Sequence, residues 1–218
     1  MNLNGKKINF LGDSITEGVG TSAPEKRYPD LIAADCGCIV RNYGISGTRI
    51  ARQYHPTVDN PSFDLDFPSR VADMDPDADI IVVFGGTNDF GHGDAPIGKM
   101  SDRTKDTFYG GLHELYTSLI NKYPSASIVI LTPLHRLNED SPIGDNKPAP
   151  VGTLKEYTEI IREVAQWYSL PVLDLFAMSG MQPRVPVIQE KFVPDGLHPN
   201  DDGNRKLADL LISFLSRL

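Results

Sequence analysis

Five short apolar runs recur along the chain, at residues 8–11, 39–43, 80–84, 128–131 and 172–175. Each is rich in β-branched or aromatic residues and shows little polar alternation, as expected of strands buried on both faces. Between them lie stretches with helical hydrophobic spacing. Residues 28–35 and 69–74 are short candidates. Residues 104–122 carry Phe108, Leu112, Leu115 and Leu119 on one face, and residues 153–168 carry Leu154, Tyr157, Ile161, Val164 and Tyr168. The last stretch, 201–218, presents Leu207, Leu210, Leu211, Phe214, Leu215 and Leu218 as one stripe. Alternating β and α elements specify a parallel sheet with helices on both faces. No repeat, low-complexity tract or linker divides the 218 residues, so one domain over 1–218 is expected.

Four short motifs follow strand exits. Gly12-Asp13-Ser14 comes after the first strand, and Asn42-Tyr43-Gly44-Ile45-Ser46-Gly47 at the end of the second. Gly85-Gly86-Thr87-Asn88-Asp89 follows the third, and Asp195-Gly196-Leu197-His198-Pro199 lies between the fifth strand and the last helix. In a parallel sheet the carboxyl ends of the strands share one edge, where ligands of open α/β sheets bind. Motifs far apart in sequence are therefore expected to meet there.

Their residue types make a coherent chemistry. A serine hydroxyl is a weak nucleophile and needs an adjacent base. His198 can take the proton of Ser14, and Asp195 can hold the imidazole tautomer and stabilise the imidazolium. An oxyanion needs fixed donors where charge develops. The backbone amides of Ser14 and Gly47 and the side-chain amide of Asn88 would supply three. Asp13 is expected to cap or hold the turn before Ser14, and Asp89 to be structural.

With these motifs the chain resembles the SGNH hydrolases, or GDSL esterase/lipase family, whose four named residues match Ser14, Gly47, Asn88 and His198. The resemblance covers nearly the whole chain. It implies a flavodoxin-like three-layer α/β/α sandwich with a five-stranded parallel sheet in the order 2-1-3-4-5, and hydrolysis through an acyl-serine intermediate. Two departures stand out: the first motif reads Gly-Asp-Ser-Ile rather than Gly-Asp-Ser-Leu, and the second contains two glycines, leaving Gly44 as a rival to Gly47 for the oxyanion donor.

The formal net charge of −8 argues against nucleic acid or anionic lipid as a main partner. Cys36 and Cys38 have one residue between them, poor geometry for a mutual disulfide, and are expected as reduced, packed thiols. No metal site and no cofactor is expected. Gly12–Gly20 lacks the Gly-Lys-Ser/Thr ending of a phosphate loop, no Gly-x-Gly-x-x-Gly follows a strand, and His113-Glu114 lacks the second histidine of a zinc protease helix. Thr48 replaces the second glycine of a Gly-x-Ser-x-Gly elbow around Ser46. No stretch has the apolar length of a membrane span. Residues 1–7 lack the apolar run of a signal peptide, so a cytoplasmic protein is expected.

Loops 52–68, 90–103 and 133–150 are expected to border the pocket. Within or beside them, His92, His135 and Arg136 are candidates for substrate contact. His113 is expected at the surface or half-buried, and His55 has no evident partner. The substrate expected is a small-molecule ester with a short acyl chain, including O-acetyl groups on sugars, since the rim loops mix Pro with Asp, Asn, Arg, His and Lys. A lysophospholipase or acyl-thioester hydrolase would share the same catalytic set. A non-catalytic carbohydrate-binding protein on this fold is the alternative outside enzymes. Oligomeric state is not specified by the sequence.

Overall fold

The computed structural model describes residues 1–218. In chain order the elements are β1 (Lys7–Gly12), α1 (Ser14–Glu17), α2 (Tyr28–Cys36), β2 (Ile39–Gly44), α3 (Phe67–Arg70), β3 (Ile80–Phe84), α4 (Thr87–Gly91), α5 (Phe108–Lys122), β4 (Ser127–Leu131), α6 (Leu154–Trp167), β5 (Val172–Leu173), α7 (Leu175–Met178), α8 (Pro186–Phe192) and α9 (Asp201–Leu215). The strands form one sheet in the order β2-β1-β3-β4-β5, with every neighbouring pair parallel. This is the flavodoxin-like order that the motif resemblance implies. No helix is long and apolar enough to cross a membrane.

Successive strand residues face opposite sides of a sheet, so the uninterrupted apolar runs feed two cores. Ile81, Val83, Ile128 and Ile130 pack with Phe67, Phe108, Leu112, Leu115, Leu154, Tyr157 and Ile161. Ile8, Phe10, Ile80, Val82, Phe84 and Leu131 pack on the other face with Ile15, Tyr28, Ile32, Leu207, Leu211 and Leu215. Helices α3, α5 and α6 thus cover one face, and α1, α2 and α9 the other. Fully burying a side chain of this size contributes about 1.5–3 kcal/mol. Both faces are covered, so a polar residue in these strands needs a partner. Asn9 in β1 finds one, donating to Asp75 O at 2.8 Å.

The observed elements differ from the expected ones at their ends, in several cases for a local reason. The helix expected from residue 104 begins at Phe108, because Thr107 is extended and its hydroxyl accepts from Gly110 N. The stretch 69–74 divides into α3, capped by Asp66, and a 3-10 turn over Val71–Asp73. The strand expected over 172–175 stops at Leu173, where the Asp174 carboxylate accepts from Ala177 N and starts α7. The final helix ends at Leu215 rather than Leu218. Thr153 is the N-cap of α6 and forms a capping box with Glu156. Cys36 and Cys38 are free thiols, the second of them buried.

One contact in this framework governs how the second strand meets the first helix. A Cβ on Gly44 would lie 2.2 Å from Glu17 N and 2.6 Å from Thr16 C, both rigid backbone atoms. Gly44→Ala is therefore expected to destabilise the protein by about 1–3 kcal/mol, the range for forced overpacking. In thermal unfolding that corresponds to a drop of roughly 2–4 °C per kcal/mol in a chain of this size. An unchanged Tm would show that β2 and α1 can separate without cost.

Candidate active site

The four motifs converge at the carboxyl edge of the sheet. Gly12 lies level with Gly44 in β2 and with Phe84 in β3. Directly beyond it, the Asp13 carboxylate accepts from Ile15 N at 3.0 Å and caps α1, whose first residue is Ser14. Ser14 is 7% exposed, and its Oγ lies 3.0 Å from His198 Nε2. His198 Nδ1 lies 2.7 Å from Asp195 Oδ2, while Asp195 Oδ1 accepts from the backbone N–H groups of Leu197 and His198.

The turn that carries Asp195 and His198 is anchored through α9. Asn200 caps that helix by accepting from Gly203 N. Asn204, buried on its first turns, accepts from Tyr28 N at 3.0 Å and donates to Pro199 O at 2.9 Å. Ser22 bonds the Asp201 carboxylate through both its backbone N–H and its hydroxyl.

The two glycines of the second motif are distinguished by their surroundings. The Gly44 N–H donates to Asn42 Oδ1 at 2.8 Å, and Gly44 does not line the cleft that holds Ser14. Gly47 does line it, and its amide N–H has no partner within the chain. Gly47 has φ +73°, and a Cβ there would lie 2.3 Å from the Phe63 ring. Asn88 sits in the first turn of α4, where its Nδ2 donates to Thr48 O at 3.0 Å. Next to it, Asp89 accepts from Ile50 N and Ala51 N, both at 2.9 Å. Asp89 thereby ties α4 to the loop after β2, the structural part expected of it.

Ser14, Gly47, Asn88 and His198 share a cleft of ≈ 270 Å³, with Val19, Ser46, Phe63, His92, Arg136, Asp145 and Leu197 in its walls. All three loops expected at the rim contribute to it. Of the three candidates for substrate contact, the fold brings His92 and Arg136 to the cleft but not His135. His135 Nδ1 pairs with Glu139 at 2.7 Å and its ring packs on Phe176. Arg136 is buried, and its Nη2 reaches both carboxylate oxygens of Asp145. His113 is fully buried rather than at the surface or half-buried, since α5 turns it between Tyr168 Oη at 2.8 Å and Met100 O at 3.0 Å. His55 has a partner after all: Asp94, 2.9 Å away across the loop. Phe63, Val19 and Leu197 carried no sequence signal of their own, because single apolar residues in loops resemble core residues. No group of three or more His, Cys, Asp or Glu side chains is placed to hold a metal ion.

Burial and hydrogen bonding pull the site's charges in different directions. Partial burial would raise the Asp195 carboxyl, but bonds from His198 N, the His198 ring and Leu197 N outweigh it and hold it below the usual carboxylate range. His92 is pushed down to about 4 by burial and then by the Arg49 guanidinium, so its ring is neutral. Asp13 is pushed from 3.8 to about 7 by burial, with nearby Asp89 adding to the rise and Arg70 opposing it. The native Asp13 carboxyl thus keeps a proton that the unfolded chain releases near 3.8. Between those values the native state binds more protons, and this group's contribution falls as pH rises. Asparagine can still cap Ile15 N–H but cannot ionise. Asp13→Asn is therefore expected to gain stability relative to the parent protein as pH rises from about 4 through about 7. Urea midpoints measured across that range check this, and parallel curves for the two proteins would contradict it.

No curated protein sequence matches the chain. Solved structures do. A protein from Lactobacillus plantarum shares 31% identity with a TM-score of 0.83, covering 98% of this chain and 98% of that one. A protein from Bacteroides uniformis described as a GDSL-like lipase shares 22% identity with a TM-score of 0.70, covering 98% of this chain and 97% of that one. A two-domain esterase active on acetylated mannans shares 19% identity with a TM-score of 0.62, covering 98% of this chain and 49% of that one. Residues 10–206 match the GDSL-like lipase/acylhydrolase family, a span that takes in every motif at the sheet edge, and the chain belongs to that family.

Proposed function

We propose that this protein is a serine esterase that removes short acyl groups, with O-acetyl groups on carbohydrates as its substrate class. The observation that carries the reading is the hydrogen-bonded line Asp195–His198–Ser14, which opens on the same cleft as Gly47 and Asn88. In this mechanism Ser14 Oγ attacks the acyl carbonyl carbon while His198 Nε2 takes its proton. Asp195 stabilises the imidazolium. The carbonyl oxygen, now negative, accepts from Ser14 N–H, Gly47 N–H and Asn88 Nδ2. Collapse breaks the bond to the alcohol, which leaves with the proton from His198. Water then attacks the acyl-serine carbonyl, again losing its proton to His198, and releases the acid and free Ser14.

The cleft supports a short acyl group. Its ≈ 270 Å³ is modest, and only Val19, Phe63 and Leu197 line it with apolar side chains. Each buried methylene contributes about 0.8 kcal/mol only where apolar lining receives it. The polar Ser46, Arg136 and Asp145 on the walls suit a hydroxyl-rich alcohol portion. A two-domain esterase active on acetylated mannans shares this fold over 49% of its length, which supports the reading.

Two measurements test the reading. Ser14→Ala is expected to lower ester hydrolysis by about 10⁴-fold or more without unfolding the protein. A variant with near-normal turnover, or a parent protein that a fluorophosphonate leaves unlabelled, would remove Ser14 as the nucleophile. Across p-nitrophenyl esters, kcat/KM is expected to be highest for acetyl and butyryl and to fall for chains of about ten carbons or more. Acetylated sugars should be cleaved in the same assay. A steady rise with chain length would move the substrate class to lysophospholipids or acyl thioesters.

A further inference from the structure

Behind Asn88 lies a second line of hydrogen bonds. Its Oδ1 is 3.2 Å from His92 Nε2, one helical turn further on. His92 Nδ1 is 3.1 Å from Arg49 Nη1. Arg49 is buried, and its Nη2 is held by Asp64 Oδ1 at 2.8 Å, Phe63 O at 3.1 Å and Thr57 Oγ1 at 3.1 Å.

The direction of this line is fixed by chemistry. A guanidinium only donates, so His92 Nδ1 must accept, and the neutral ring carries its proton on Nε2. That Nε2–H can meet only the oxygen end of the Asn88 amide. At the other end Thr48 O only accepts, so it demands the nitrogen. An asparagine amide has nearly the same shape in its two orientations, and sterics alone barely choose between them. Here the choice is imposed from both sides. A flipped amide would set Oδ1 against the Thr48 carbonyl and its N–H against the His92 N–H. The ring's low basicity keeps this arrangement intact at neutral pH. Burial and then Arg49, Arg136 and Lys147 disfavour its protonation, while Asp145 opposes them.

We propose that Arg49 and His92 are positioning residues that lock the Asn88 amide with its nitrogen toward the cleft, making the oxyanion site one-sided before substrate arrives. This rests on the reading of Asn88 as an oxyanion donor. With Thr48 O taking one Nδ2 hydrogen, the second is the one left for the substrate oxygen. Donation passes from Arg49 to His92 to Asn88, and each step polarises the next donor. His92 lines the cleft but acts through Asn88 rather than as a substrate contact.

The test separates these roles by kinetics on p-nitrophenyl acetate. His92→Phe keeps a ring but loses the donor, and is expected to lower kcat about 10-fold with KM within about twofold, the scale of one hydrogen bond. His92→Gln returns an amide N–H and is expected to recover most of that loss. Asn88→Ala alone should lower kcat by about 10²–10³-fold, and adding His92→Phe to it should cost nothing further. A loss confined to KM would make His92 a substrate contact, and additive losses in the double variant would make its role independent of Asn88. A severe Asn88→Ala with a silent His92→Phe would overturn the relay alone, whereas near-normal Asn88→Ala kcat would overturn the oxyanion reading and the relay with it. The folded parent protein supplies a measurement that no variant's instability can spoil. Imidazole ¹⁵N shifts should show His92 as the Nε2–H tautomer, and an Nδ1–H tautomer would overturn the proposal.

Discussion

The alignment of Gly12 with Gly44 on one side and Phe84 on the other sets where three loops leave the sheet. Ser14, Gly47 and Asn88 lie only a few residues beyond those positions, so their spacing in the site follows from strand register. A slip of one residue would reverse every side chain in a strand, and strands buried on both faces could not absorb it. Arg70 reinforces the alignment from beneath. Its buried guanidinium donates to Gly12 O, Tyr43 O and Thr48 Oγ1, joining the ends of β1 and β2 to the following loop. Burial lowers its pKa to about 10, which leaves it charged at neutral pH beside Asp13.

The parallel sheet and the meeting of the four motifs were open to reading from sequence because they depend on coarse properties, whereas the strand order came only through the family resemblance. Apolar runs of strand length at 8–11 and 80–84, and a leucine stripe from Leu207 to Leu215, survive any error in their ends. Element boundaries were harder, since single side chains decide them. Thr107 and Asp174 each stop or start an element by accepting one backbone N–H, and neither stands out from other polar residues nearby. The choice between Gly44 and Gly47 also needed coordinates, because it turns on which N–H already has an acceptor. Arg49 was invisible for a related reason: its three acceptors and its histidine come from loops whose course no periodicity describes. The pairing of Asn88 with His92, four residues apart on one helix face, was there to be read.

Two imidazoles at the cleft are anchored by partners of opposite charge. His198 presents Nδ1 to an acceptor that cannot donate, Asp195 in its ionised form, and turns Nε2 toward Ser14 Oγ. His92 presents Nδ1 to a donor that cannot accept, Arg49, and turns an N–H toward Asn88. One ion of fixed sign at the far end of each line settles the direction of every bond in it. The same side chain is thus tied to an anion on one wall of the cleft and to a cation on the other.

The Asp195–His198 bond joins residues three apart, whereas the His198–Ser14 bond joins residues 184 apart. The first belongs to a single turn of chain and persists wherever that turn does. The second exists only while α9 stays seated on α2 through Asn204 and on the Ser22 loop through Asp201. Loosening of the carboxyl-terminal helix would therefore part His198 from Ser14 and open the core that α9 helps to build, while the core under α5 and α6 stayed assembled. In such a molecule turnover is a more sensitive gauge of integrity than circular dichroism, and a slow heating series would see the first fade before the second.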